Sequence, residues 1–331
     1  MFGLQMRRRE FIAIVGGATL PWPHFSRAQQ QQAKSMRRLG MLLYSSPQED
    51  PQVKVLQESL RELGYVDGHN ISIEYRFAEG KPERLPALAS ELVGVKPDVL
   101  FPIGGDVALF VSKATRTIPI VFVMSADPFK LGVVGSVARP GGNATGFTFL
   151  QDELASKRLE LLKKVAPRVS RVGFLSNPDH PDNELPVAQR AATALDLGLH
   201  PVEMRGPGDL DAALRSATEA SVDALYVVAS RQTVASIPRI VNFATKNELP
   251  LAGGWGAWAQ AGALLSYGPN VAEVMRNSAA YVDKIFQGAK PGDLPVQQPT
   301  RFELHINLRT AKLLGLSIPE SLLLLADKVI E

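Results

Sequence analysis

The residues best placed to do chemistry in this 331-residue chain are small and polar, and each cluster ends a short apolar run. Tyr44-Ser45-Ser46 closes Leu39–Tyr44, Gly104-Gly105-Asp106 follows Val99–Ile103, and Ser125-Ala126-Asp127-Pro128 follows Ile118–Met124. Further along, Ser176-Asn177-Pro178-Asp179 follows Arg171–Leu175, Ser230-Arg231-Gln232 follows Ala224–Ala229, and Gly254-Trp255 follows Leu249–Gly253. Any one cluster reads equally well as turn and cap chemistry. Six at equivalent strand ends point to a shared site, because open α/β sheets bind ligands beyond the carboxyl ends of their strands. Helix N-termini there offer free N–H groups and a positive dipole end.

Single residues keep two readings. Asp127 could pair with a ligand ammonium or cap the turn before Pro128. Arg231 could hold a carboxylate bidentately or stand solvated. Trp255 and Trp258 sit among glycines, where a ring could stack on a ligand or pack at a hinge. The candidate ligand contacts are Tyr44, Ser45, Ser46, Gly104, Gly105, Ser125, Asp127, Asn177, Ser230, Arg231, Trp255 and Tyr267. In the expected mode Asp127 takes an N–H, the serines and Asn177 bond a polar end, and Trp255 or Tyr267 covers an apolar face. Catalytic patterns are missing: there is no G-x-S-x-G elbow, no Walker-type loop and no H-E-x-x-H. The five histidines stand far apart, none at metal-ligand spacing. A binding protein without cofactor or metal is expected, not an enzyme.

The elements that must position these clusters alternate. Strand patterns at 39–44, 70–75, 99–103 and 118–124 are separated by helical-period segments at 51–64, 82–93 and 106–115. A second series runs from strand 171–175 through helix 185–197, strand 200–204, helix 209–220, strand 224–229 and helix 234–247 to strand 249–253. Strands alternating with helices of ten or more residues imply βαβ units and parallel sheets. The fold class is therefore α/β, with two Rossmann-like doubly wound lobes. The remainder, strands 263–267 and 301–306 and helices 270–287, 308–314 and 319–330, fits two lobes joined by several crossings. Lobe one is expected at 37–146 plus 266–296, and lobe two at 147–265 plus 297–331. Such a hinge lets rigid lobes close on a ligand.

The N-terminus reads as an export signal. Arg8-Arg9-Glu10-Phe11-Ile12 leads into an apolar run to Leu20, and Ser26-Arg27-Ala28 offers small residues for cleavage after Ala28. The ten-residue run is well under the roughly 20 residues that span hydrocarbon. Residues 1–28 are thus expected to be a twin-arginine signal peptide, with 29–36 a disordered polar leader. That segment carries Arg7, Arg8, Arg9 and Arg27 against Glu10, so of 36 basic and 33 acidic residues the mature chain keeps 32 of each. A basic chain would have pointed to nucleic acid; a neutral one does not. Zero cysteines exclude disulfides and a lipidated cysteine. A soluble monomer in a Gram-negative periplasm is the expectation.

Several stretches resemble one family. They are Ile118–Pro128 continuing through Ala138–Gly146, Lys157-Arg158-Leu159-Glu160-Leu161-Leu162, Leu265-Ser266-Tyr267-Gly268-Pro269-Asn270, Tyr281–Ile285 and Asp293–Thr300. Together they are similar to the ABC-transporter substrate-binding proteins related to tryptophan- and tyrosine-type binders, over roughly 37–331. The resemblance implies a type I periplasmic-binding fold, three hinge crossings, a small ligand such as an amino acid in the cleft, and delivery to a membrane permease. A rival expectation is a periplasmic ligand-sensing subunit for a signalling partner. Replacing both Arg8 and Arg9 with lysine should strand the precursor in the cytoplasm. Mature protein reaching the periplasm at normal levels would contradict the twin-arginine reading.

Overall fold

The computed structural model describes residues 36–46, 50–149, 151–181 and 184–331. The export segment with Arg8, Arg9 and Ala28 lies outside the described residues, as does the leader up to 35.

Two sheets form the frame. The first contains β1 (Arg37–Leu43), β2 (Ile71–Phe77), β3 (Val99–Pro102), β4 (Ile120–Met124) and β5 (Ala144–Thr148) in the order β2-β1-β3-β4-β5, all parallel. The second contains β6 (Arg171–Ser176), β7 (Gly198–Glu203), β8 (Ala224–Val227), β9 (Leu251–Gly253), β10 (Leu265–Pro269), β11 (Phe302–Asn307) and β12 (Lys328–Ile330). Its order is β12-β11-β10-β9-β8-β6-β7, with only the β10–β11 pair antiparallel. The expected pair of doubly wound α/β lobes is what the chain forms.

Helices cover both faces of each sheet, which is why the strands read as continuous apolar runs. The helices of the first lobe are α1 (Pro51–Glu62), α2 (Leu85–Gly94) and α3 (Gly105–Ala114). Leu39, Met41 and Leu43 of β1 join Val53, Leu56 and Leu60 of α1, while Leu42 turns the other way onto Leu85, Leu92 and Val107 of α2 and α3. On the second sheet, α4 (Gln151–Val165) and α5 (Glu184–Ala194) pack on one face, and α6 (Leu210–Glu219) on the other. The first of these cores runs on across both lobes, from Phe147 and Phe149 to Trp255 and Leu175.

The chain departs from the sequence reading in five places. β5 is a full strand where the sequence reading places no element, so the first sheet ends at Thr148 and not at 146. The expected helix 234–247 is two, α7 (Arg231–Ala235) and α8 (Ile237–Lys246), broken at Ser236 ahead of Pro238. A short α9 (Gly256–Ala261) follows β9. Residues 266–269, expected in lobe one, pair in the second sheet, so the crossing comes after Pro269. Beyond it α10 (Val271–Phe286), capped by the Asn270 side chain accepting from Glu273 N at 2.9 Å, packs on α1 and the first sheet. After α11 (Leu308–Leu313), α12 (Glu320–Leu325) stops short of the expected helix end. The Asp327 carboxylate accepts Leu304 N at 2.9 Å, and that pairing draws Lys328–Ile330 into an edge strand beside β11.

β10 passes the loop after β9 at backbone contact: a Cβ on Gly268 would overlap the Gly254 carbonyl oxygen. Gly268→Ala should therefore lower the unfolding free energy by about 1–3 kcal/mol or more. Gly208→Ala, with nothing within 4 Å of the added carbon, should change little. Urea denaturation measures both, and an unchanged midpoint for Gly268→Ala would remove this close approach.

Candidate functional site at the lobe interface

The carboxyl ends of strands from both sheets face each other. After β8, Ser230 caps α7: its Oγ accepts Thr233 N at 3.2 Å, and Thr233 Oγ1 donates to Val228 O at 2.7 Å. This cap aims the next side chain across the interface. Arg231 gives Nη1 to Asp50 Oδ2 at 2.6 Å and Nη2 to Gln52 Oε1 at 2.7 Å, both at the start of α1. Asp50 Oδ1 meanwhile accepts Gln52 N at 3.0 Å, so one carboxylate caps a helix and neutralises a cation from the other lobe. The pair is largely shielded, with side chains 10% and 7% exposed. Nearby, Gly105 at the start of α3 lies against Pro181, whose Cγ is 3.2 Å from where a Cβ would stand.

Trp255 is the partition of the site. It caps α9, is 6% exposed, and tilts at 59° to Phe149 of the first lobe with centroids 6.0 Å apart. On one side is a small central cavity lined by Gly104, Ser125, Phe149, His180, Ser230 and Arg231, with about 10 Å³ for the centre of a water-sized sphere. That is room for about one water. On the other side is a lateral chamber of about 440 Å³ on the same measure, reaching from α1 to β11. That volume suits a small organic ligand.

The loop that carries Trp255 is held from behind. Arg158 on α4 is fully buried, and it donates from Nε to Tyr267 O at 2.7 Å and from Nη2 to Gly254 O at 3.3 Å. Its Nη1 reaches Glu184 Oε2 at 3.2 Å and Tyr226 Oη at 3.0 Å, and the Tyr226 hydroxyl donates to the same Glu184 oxygen at 2.6 Å.

Five candidates, Gly104, Ser125, Ser230, Arg231 and Trp255, line the central cavity together. Ser45 and Ser46 lie on the turn after β1, half-buried, and line neither cavity among the described residues. Tyr44 is buried below that turn and donates to Gly80 O at 2.7 Å. Asn177 closes its own turn by accepting Asp179 N at 2.9 Å. Asp127 likewise accepts Phe129 N and Lys130 N, at 2.9 and 3.2 Å, which is its cap reading. Neither Asp127 nor Tyr267 lines the two cavities among the described residues. Tyr267 instead packs with Phe302 on the α4 side of its sheet. Sequence reasoning passed over Asp50, Gln52, Phe149, His180, Glu303 and His305. Asp50 before Pro51 carries a helix-start signal, and Glu303 and His305 carry a period-two one; the others carry none.

The sequence model described as ABC transporter substrate binding protein matches residues 41–330. The chain belongs to that family. A protein named tyrosine-binding protein from Clostridioides difficile is 27% identical over 288 residues, 86% of this chain and 82% of that protein. Two solved structures are similar to this substrate-binding protein over 89% of its length. A conserved domain protein from Vibrio cholerae is 27% identical with a TM-score of 0.81, covering 99% of that chain. An ABC domain from Streptococcus pneumoniae in complex with L-Trp is 26% identical with a TM-score of 0.80, covering all of that chain.

Phenols at the site and core give this substrate-binding protein a distinct alkaline limit. Burial pushes Tyr44 up to about 12, with the charges of Asp106 and Glu83 adding and a hydrogen bond from Gln232 opposing. Tyr65, pushed up by its partial burial and donating to Asp283 Oδ1 at 2.7 Å, also rises to about 12. The folded state thus holds protons that the unfolded chain releases from about pH 10. Stability should be unaffected below about pH 10 and fall as pH rises to about 12. Urea midpoints measured across that range check the window; Tyr44→Phe should flatten part of the fall.

Proposed function

We infer that the chain is the exported solute receptor of an ABC importer, binding a small amino-acid-like ligand between its lobes and passing it to a membrane permease. The observation that carries this reading is the meeting of strand ends from both lobes around Trp255, with a chamber of about 440 Å³ beside it. Membership of the substrate-binding family supports a binding role in place of catalysis. The tyrosine-binding relative and the L-Trp complex support an aromatic amino acid as the cargo. Closure is a rigid-body motion about three crossings, near residues 149, 270 and 297–301. Export by the twin-arginine route to a Gram-negative periplasm follows from Arg8, Arg9 and the site after Ala28. No helix among the described residues is long and apolar enough to cross a membrane.

A thermal-shift screen of the mature chain against amino acids tests the reading, followed by calorimetry. A ligand at about 100 times its Kd stabilises by roughly 2.7 kcal/mol, enough to raise Tm by several degrees. L-Tyrosine or L-tryptophan should do so, and Trp255→Ala should weaken the binding at least tenfold. A screen in which no amino acid moves Tm would sink the amino-acid assignment.

A further inference from the structure

The lateral chamber differs in chemistry from the central cavity. Its walls are largely apolar, from Val55 on α1, Val234 and Ile237 on α7 and α8, Met275 on α10, and the Trp255 indole. Among the described residues its ionisable side chains gather at one end, on β11, with the amides of Gln52, Gln260 and Asn270 elsewhere in the lining. Glu303 and His305 share a face of that strand because side chains repeat every second residue. The Glu303 carboxylate accepts Asn270 Nδ2 at 2.7 Å and lies 3.3 Å from His305 Nε2. His305 is 6% exposed, and its Nδ1 has no hydrogen-bond partner among the described residues. Its ring rests on Gly256, filling the space a Cβ would need.

Charge sets the ligand class. No lysine or arginine lines this chamber among the described residues. Arg301, outside the lining, lies 3.9 Å from Glu303 Oε1, and Arg231 across Trp255 already has both terminal nitrogens on Asp50 and Gln52. A carboxylate offers about four acceptor positions, and the donors on Glu303 occupy two. A histidine donating from Nε2 to Glu303 presents Nδ1 as one more acceptor. At the β11 end the surplus is of acceptors, so an ammonium or N–H group finds partners there that an anionic group does not.

The geometry points to an amine-selective chamber: an ammonium or N–H group docks at Glu303 and His305 while an aromatic or branched aliphatic body lies against the walls. This rests on the interlobe-binding reading and narrows its cargo to compounds carrying a nitrogen donor on an apolar body.

Calorimetry on the mature chain tests it with a matched pair. Tryptamine and 3-indolepropionate share the ring and two-carbon arm and differ in ending as ammonium or carboxylate. Tryptamine should bind at least tenfold more tightly than the acid. Loss of a charge-assisted hydrogen bond weakens binding about tenfold to a hundredfold, so Glu303→Gln should bring the pair within about threefold of each other. Ala272→Phe, which fills the chamber from the first turn of α10, should abolish tryptamine binding while far-UV circular dichroism stays native. Equal affinities for the two compounds in the wild-type chain, or no tryptamine binding, would overturn the proposal. L-Tryptophan titrated in parallel separates the two claims: if it binds while the matched pair shows no preference, the chamber assignment fails and interlobe binding stands.

Discussion

A guanidinium with no access to water must be neutralised and hydrogen-bonded where it stands, because removing one partner leaves an uncompensated buried charge. Arg158 meets that demand with Glu184, the Tyr226 hydroxyl and the carbonyls of Tyr267 and Gly254. Burial works against the charge, yet Tyr226 and Glu184 hold the guanidinium above its ordinary value. Burial also drives the Tyr226 phenol far up, so it stays a donor to Glu184. The two carbonyls matter most. Tyr267 lies on the last strand before a crossing, and Gly254 immediately precedes Trp255. One buried cation thus fixes the strand before the crossing and the loop bearing Trp255 to the same helix.

From that anchor the interface follows. Gly268 and Gly254 touch through backbone, Trp255 is presented toward Phe149, and α9 begins where His305 needs a residue without a side chain. The seven-stranded lobe therefore offers a stiff face. The opposing lobe answers with the start of α1, where Asp50 is both cap and counter-ion. A motion that parts the lobes must rehydrate Asp50 and Arg231.

Much of this was legible in the residues. Alternating apolar runs and helical faces placed nearly every element before β5, and the strand-end clusters placed five residues around one cavity. The family resemblance rested on stretches that include Arg158 and Tyr267, which the structure joins. What escaped was non-local. Arg231 and Asp50 are 181 positions apart, and neither declares the other. β5 was hidden because Gly146 dilutes a five-residue strand whose pairing with β4 overrides weak propensity. β12 was hidden behind the leucine run of α12, whose end depends on Asp327 reaching β11. Asp127 and Tyr267 were placed by strand-end position alone. Position does not say which way a side chain turns; local caps and sheet parity do.

The account turns on a solute held between the two lobes beside Trp255. A crystal structure of the mature protein grown with the tightest binder from an amino-acid screen tests that most directly. The account predicts density within about 4 Å of the Trp255 indole, touched by residues of both sheets, with Arg158 still bonded to the Gly254 and Tyr267 carbonyls. Density confined to one lobe, or lying away from Trp255, would contradict it.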